Sequence, residues 1–310
     1  ALREATSTYN IDAIIPVTHG ATAALIDGNG KLALPIMDYE AAIPPTFSED
    51  YAGLRPAFIE TGSPNLPDGL NLGRQLYYQS HAFNAEFART EDILMLPQFW
   101  SYKLTGTLAS EATSLGCHTD LWNYKEQDYS SLVYEEEWRD LFPPIVRPGD
   151  IVGTVKADLG LPSGIKVMSG IHDSNASFLP HLTSQSGPFA VLSTGTWIIA
   201  MAGNGDVPPL DERRDTLCNT NANGRPVTTA RFMGGREYDQ LIPKHRQNDE
   251  ISIDELIKAS RSRQIPLPNQ GGHGGPFPNA SNQSSQAYSP AAAIIYLAQI
   301  ADQCLTLINA

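Results

Sequence analysis

Two short stretches of the chain hold the groups best placed to do chemistry. Gly170-Ile-His-Asp-Ser-Asn-Ala-Ser177 sets a single carboxylate, Asp173, after an apolar run, and Ala190-Val-Leu-Ser-Thr-Gly-Thr-Trp197 follows as a strand running into a Thr-Gly-Thr turn. A carboxylate can take a proton from a hydroxyl, and the backbone N–H groups of such a turn can cradle phosphate oxygens. Together they point to transfer of phosphate to an alcohol, with Asp173 as proton acceptor and Thr194, Gly195 and Thr196 as the phosphate turn. Each half also has an ordinary explanation. An Asp after a strand commonly caps the next helix, and Gly-containing hairpin turns are frequent. His172, beside Asp173, either orients it or is a satisfied core residue. No Gly-x-x-x-x-Gly-Lys-Ser/Thr run occurs, so a P-loop nucleotide site has no support.

These residues need elements to position them. The apolar run Val167-Met-Ser-Gly170 reads as a buried strand delivering Asp173, and residues 189–193 and 197–201 read as two strands joined by the 194–196 turn. Upstream, residues 14–17 form a short strand. Residues 23–26 and 32–36 flank the Asp27-Gly-Asn-Gly30 turn as a hairpin, because such dipeptides supply the positive φ angles of tight turns. Residues 40–70, rich in Pro, Gly and Ser, read as a long loop or cap. Residues 70–89 and 91–104 read as helices, the second stopped by Gly106. Residues 269–282 form a Gly/Pro/Asn-rich loop, and Ser289-Pro290 opens a last helix whose expected apolar face is Ile294, Leu297, Ala301, Leu305 and Ile308. The first residues look like the end of a helix and the last lie inside one, so the chain reads as an internal portion of a longer protein. The run at 182–187 suggests domains at 1–184 and 185–310.

The bulk properties exclude some classes. The 310 residues suffice for two domains. A net charge of −13 argues against a nucleic-acid partner, whose phosphates need a basic surface. Cys117, Cys218 and Cys304 are scattered without ligand spacing, which predicts reduced thiols of a cytoplasmic protein and not a disulfide or zinc framework. No stretch reads as long and apolar enough to span a bilayer, and no signal peptide is evident.

The motifs resemble the FGGY family of carbohydrate kinases, and within it the rhamnulose-kinase-like branch. That branch carries an Ala-Ser-His-Asp-Thr type segment followed by Ser-Ser-Gly-Thr-Trp. Met95-Leu-Pro-Gln-Phe-Trp-Ser-Tyr-Lys-Leu-Thr-Gly106 is similar to the family's Pro-Asp-x-x-x-Tyr-x-Leu-Thr-Gly signature, with Gln98 in place of Asp. Ser110-Glu-Ala-Thr-Ser-Leu115 with Asp120-Leu-Trp-Asn123, Val146-Arg-Pro-Gly149, Asn223-Gly224-Arg225 and Met233-Gly234-Gly235 extend the match across the chain. Val17-Thr-His-Gly-Ala21 departs from the rhamnulose-kinase pattern. It looks more like xylulose kinases, where the His contacts the sugar, although His19 equally suits a structural hydrogen bond at a strand end.

The resemblance implies an α/β, two-domain actin/hexokinase-like ATPase fold (ribonuclease H-like), apparently incomplete at both ends. The family's Asp-x-Gly loop would precede Ala1 and its Gly-Gly adenosine motif would follow Ala310. It implies a sugar-binding first domain, a nucleotide-binding second domain and a cleft between them. The cofactors are ATP and Mg²⁺, the metal's ligands being unassigned. By the same resemblance Asp173 is expected as the general base, His19, Gly20 and His172 as sugar-binding residues, and Thr194, Gly195 and Thr196 as the phosphate-holding turn. Trp197, at the start of a strand, is a weaker candidate and more often core packing than a sugar platform, and Gln75, Trp100 and His118 are possible cleft residues that the sequence does not rank. The implied activity is ATP-dependent phosphorylation of a ketose, such as a 6-deoxyketohexose or a pentulose, in the cytoplasm, without nucleic acid or membrane, with a homodimer as a candidate assembly. The rivals are a non-catalytic sugar- or nucleotide-binding relative and a phosphate-ester hydrolase on the same fold.

Overall fold

The computed structural model describes residues 1–262, 265–266, 275–278 and 287–308. The chain divides into two compact units, Ala1–Thr183 with Cys218–Pro226, and Ser184–Leu217 with Val227–Ala310.

In the first unit a helix at Leu2–Thr8 precedes β1 (Ala13–Ile14) and β2 (Val17–Thr18). Pro16 lacks an N–H for a ladder bond, and one expected strand becomes two dipeptides. β3 (Ala23–Asp27) is buried on both faces and runs antiparallel to β4 (Thr90–Met95). The sequence suggests a hairpin with residues 32–36 instead. The turn is there, but only an isolated Ile26–Leu32 bridge follows it. The segment expected to be a loop, 40–70, contains helices at Pro45–Leu54 and Phe58–Thr61. Pro45 sits at the first helical position, where its missing N–H costs nothing.

Next come α1 (Leu72–Ala82), β4, and α2 (Leu96–Thr105). The helix expected over 91–104 is therefore half strand. The run Ile93-Leu94-Met95 is fully buried, and an apolar run of that length suits either state. Pro97 marks the real helix start, and Gly106 in the left-handed region (φ 84°) ends it. β5 (Ser110–Glu111) pairs in parallel with β6 (Ile145–Val146), and α3 (Ala112–Leu115) follows β5 at once. β7 (Ile151–Thr154), β8 (Lys166–Met168) and β1 make a three-stranded sheet in the order β1-β8-β7. β9 (Ile171–His172) pairs in parallel with β2, and α4 (Asp173–Ser184) starts immediately after it.

A four-stranded sheet runs in the order β10-β11-β13-β12, formed by β10 (Phe189–Thr194), β11 (Ile198–Gly203), β12 (Thr216–Thr220) and β13 (Pro226–Phe232); β10 and β11 lie wholly in the second unit, whereas Cys218–Thr220 and Pro226 are grouped with the first. It is followed by α5 (Gly234–Leu241), α6 (Ile253–Ser262) and α7 (Pro290–Ile308). Ser289 caps α7, its Oγ accepting from the Ala292 N–H at 3.2 Å.

The buried residues of α7 include Ala293, Tyr296, Ile300, Cys304 and Ile308, packed with Ala200, Phe232 and Leu241. Of the expected face, Ala301 and Ile308 are buried and Leu297 and Leu305 pack against this cluster, but its centre is shifted to Ala293, Tyr296, Ile300 and Cys304, and Ile294 and Leu297 line a cavity. The helix is apolar nearly all round, so spacing alone does not single out a face. With 19 residues and mean hydropathy 1.6 it is also long and apolar enough to cross a membrane, which corrects the reading that no stretch is. Its burial against the sheet marks it as a core helix. Burying a large apolar side chain contributes roughly 1.5–3 kcal/mol. The loop read at 269–282 lies, apart from 275–278, outside the described residues.

Candidate functional site

In the first unit, the pairing of β9 with β2 decides where the candidate residues stand. Ile171 lies opposite Val17 and His172 opposite Thr18, so the two parallel strands end side by side. The residues after them, Asp173 on one and His19-Gly20 on the other, are thereby brought to one edge. Gly20 must be small. A Cβ there would lie 2.8 Å from Cys117 Sγ and 3.3 Å from His172 Cδ2. His19 is exposed, with Nδ1 2.9 Å from the Gly20 carbonyl oxygen and its ring edge-on to Tyr39 at 5.0 Å.

The turn into β9 is clamped from α2. Gln98 Nε2 donates to the carbonyls of Ser169 (3.1 Å) and Gly170 (3.3 Å), and Ser101 Oγ donates to that of Met168 at 2.8 Å. Gly170 has φ +99°, and a Cβ on it would meet Pro97 at 2.9 Å. Gln98, where the family pattern has Asp, thus does a structural job.

Asp173 is the first residue of α4, and its side chain is 53% exposed. One oxygen is committed. Oδ1 accepts from Ser174 N (2.6 Å) and Ser174 Oγ (3.3 Å) and lies 3.2 Å from His172 Nε2. Among the described residues Oδ2 has no hydrogen-bond partner. A capping Asp would take N–H groups two or three residues ahead; Asp173 takes only the next one, so helix capping does not account for it.

His172 is 6% exposed. Burial pulls its pKa down to about 4, against the pull of Asp173 and with help from His19, so the ring is neutral near pH 7. Its Nε2 also lies 3.3 Å from Cys117 Sγ, and its Nδ1 3.3 Å from Asn175 Nδ2. Its backbone N–H donates to Thr113 Oγ1 at 3.1 Å. Thr113 Oγ1 in turn donates to Glu111 Oε2 at 2.6 Å, and Glu111 also accepts from the Thr113 and Ser114 N–H groups. Ser114 Oγ is a fourth donor, to Oε2 at 3.3 Å, yet Glu111 is 1% exposed and burial pushes its pKa up to about 7 against the effect of all four.

The sequence places Glu111 and Thr113 in the Ser110–Leu115 motif and Asn175 in the stretch around Asp173, and counts Cys117 among the scattered thiols, but gives none of them a role at the site; Glu111 stands just before a short helix whose Thr and Ser it caps. The unranked candidates separate. Gln75 is buried and donates to the carbonyls of Ala21, next to Gly20, and Gly69, which makes it a support for the turn. His118 Nδ1 bonds the Leu70 carbonyl at 2.9 Å. Trp100 is half exposed beside Phe99.

In the second unit, Thr194 pairs with Ile198 as the last rung of the β10–β11 hairpin, and Thr194, Gly195 and Thr196 are all exposed. The Met233-Gly-Gly segment seats this turn. Gly235 N donates to Thr196 O at 3.0 Å, and a Cβ on Gly235 would fall 2.3 Å from Gly195 O. The turn forms one wall of a cavity of about 700 Å³, with Gly235, Arg236, Asp239 and Leu297 among its other lining residues. Trp197 precedes β11, 37% exposed, with the Arg231 guanidinium 5.4 Å over its ring.

The turn's exposed amides and hydroxyls fit phosphate oxygens. Among the described residues no group of three His, Cys, Asp or Glu could hold a metal ion.

Residues 186–310 match the family model for the carbohydrate kinase FGGY C-terminal domain. An L-fuculokinase from Salmonella typhi is 28% identical over 217 residues, covering 67% of this chain and 45% of the relative. A rhamnulokinase from Lactiplantibacillus plantarum is 29% identical over 131 residues, 40% of this chain and 25% of the relative. The chain thus spans less than half the length of the curated relatives it matches. The crystal structure of a carbohydrate kinase from Novosphingobium aromaticivorans superposes with a TM-score of 0.87 at 37% identity, covering 99% of this chain and 71% of that one. The fold is the actin/hexokinase-like ATPase fold, and the chain belongs to the FGGY family of carbohydrate kinases.

Proposed function

We propose that the protein transfers the γ-phosphate of ATP to a hydroxyl of a ketose, with Asp173 as general base. The observation that carries this reading is the asymmetry of the Asp173 carboxylate. Oδ1 is held by Ser174 and lies against His172, while Oδ2 is open among the described residues. An oriented carboxylate with one unengaged oxygen is what a proton acceptor needs.

In this reading the sugar lies on the first unit against His19 and Gly20. Its attacking oxygen forms a bond to the γ-phosphorus as the bond to the β-bridging oxygen breaks, and its proton passes to Asp173 Oδ2. ADP leaves. The donor enters as its Mg²⁺ complex, and the N–H groups and hydroxyls of Thr194, Gly195 and Thr196 meet the β- and γ-phosphate oxygens. Positioning and charge stabilisation then do most of the catalytic work. Residues 1–184 supply sugar binding and 185–310 nucleotide binding. The L-fuculokinase and rhamnulokinase relatives favour a 6-deoxyketohexose, with pentuloses next; the His19-Gly20 pair weighs against L-rhamnulose itself. The net charge of −13 suits a cytoplasmic enzyme of small metabolites with no nucleic-acid partner, and a homodimer belongs to the same reading.

The test is ADP release across a panel of ketoses, polyols and water alone, with the phosphorylated product identified. Sugar-dependent release, strongest for one 6-deoxyketohexose or pentulose, is expected. Sugar binding without release would favour a non-catalytic relative, and release independent of sugar would favour a hydrolase.

A further inference from the structure

We infer that Asn175 is a positioning residue for the proposed reaction: by turning its amide donor to His172 Nδ1, it places the ring's single proton on Nε2, the nitrogen that faces Asp173. The inference rests on the reading of Asp173 as the base, and it names how that base is held.

A neutral imidazole carries one N–H, and the other nitrogen offers only a lone pair. His172 is buried and neutral, so one nitrogen donates and the other accepts. The amide nitrogen of Asn175, 3.3 Å from Nδ1, has only hydrogens to offer. Nδ1 must therefore be the acceptor, and the proton sits on Nε2. There it lies 3.2 Å from Asp173 Oδ1, close enough for electrostatic attraction, while its hydrogen-bond contact is Cys117 Sγ at 3.3 Å. The opposite tautomer would set N–H against N–H at Asn175 and lone pair against lone pair at Asp173. Asn175 is itself 5% exposed on the first turn of α4, which leaves its amide little freedom to swing away. Gly20 completes the packing, since any side chain there would push on Cys117 and the His172 ring.

The consequence falls on Asp173. Two donors, Ser174 N and Ser174 Oγ, hold Oδ1, the protonated edge of His172 lies 3.2 Å from the same oxygen and attracts it, and Oδ2 is left as the proton acceptor. His172 then acts through Asp173, not on the sugar.

The test is long-range ¹H–¹⁵N correlation of the histidine rings in the ¹⁵N-labelled chain at pH 7, with the His172 signals assigned by their loss in His172→Gln. The expected pattern is a protonated Nε2 and a bare Nδ1. Asn175→Asp presents an acceptor to Nδ1 and should draw a proton there. A protonated Nδ1 in the wild type, or an unchanged pattern in Asn175→Asp, would overturn the inference. In the kinase assay Asn175→Asp should lower kcat about tenfold, with sugar KM within about twofold. A raised sugar KM at unchanged kcat would give Asn175 a binding role instead. Should Asn175→Asp not fold, the wild-type spectrum alone decides the tautomer. Asp173→Asn separates the two layers: full turnover in that variant would remove the base, and with it Asn175's role in the reaction, whatever tautomer the spectrum shows.

Discussion

Around Asp173, polar atoms are tied down in succession. Glu111 holds Thr113, Thr113 holds the His172 backbone, Asn175 faces the His172 ring, and Ser174 and His172 face one oxygen of the carboxylate. Around Thr194–Thr196 the reverse holds. The turn is exposed, its two hydroxyls make no hydrogen bond among the described residues, and its support is one rung of a hairpin and the backbone of Gly235. The difference matches the tasks proposed. A group that moves a proton benefits from being fixed before substrate arrives. A group that meets phosphate must keep its N–H groups unpaired until the ligand supplies the acceptors.

Disturbing the loosely held turn should produce the largest loss of nucleotide binding. In Gly235→Ala the new Cβ would lie 2.3 Å from Gly195 O and 2.8 Å from Thr196 Cα, both backbone atoms, so the turn has to move. ATP KM should rise by about tenfold or more, and overpacking should cost roughly 1–3 kcal/mol in urea unfolding. An unchanged ATP KM would take the turn out of nucleotide binding.

The tightly held region breaks differently. Glu111 has its carboxyl raised from 4.5 to about 7 by burial. The folded state therefore binds more protons than the unfolded state between those values, and this contribution to stability is present in full below pH 4.5 and lost as pH rises through 7. The difference in unfolding free energy between the wild type and Glu111→Gln should shift by up to about 3 kcal/mol between pH 4.5 and 8. His172, lowered to about 4, acts with the opposite sign, its contribution present above 6.5 and lost as pH falls through 4, and it cancels in that difference. A flat difference would show that Glu111 is not buried as described.

The smallest effect is expected at His19, which is exposed. His19→Ala should raise sugar KM several-fold, leave ATP KM unchanged and move stability by less than about 0.5 kcal/mol. Equal shifts in both KM values would make its role structural.

How far the sequence could be read follows from where each constraint resides. Asp173, His19, Gly20 and the 194–196 turn stand in short contiguous motifs, and β10 and β11 announce themselves by apolar runs flanking Thr-Gly-Thr. The strands that bring His19 and Asp173 together are two residues each, too short to show a period, and their pairing joins positions 17–18 with 171–172. Thr113 and Cys117 reach His172 across 59 and 55 residues, a relation that only the folded chain creates. The face of α7 is only partly legible for the opposite reason: the helix carries apolar side chains nearly all round, and its packing with Phe232 and Leu241 selects the face.

The central claim is that Asp173 takes the sugar's proton and does not bind the sugar. Asp173→Asn keeps the shape and can still accept from Ser174 at one oxygen, but has no basic oxygen to offer. Its kcat for phosphoryl transfer, measured with sugar and ATP both saturating and set beside the calorimetric sugar affinity of the same variant, should fall on the order of 10²–10⁴-fold with affinity nearly unchanged. Near wild-type kcat, or sugar affinity lost in step with kcat, would contradict it.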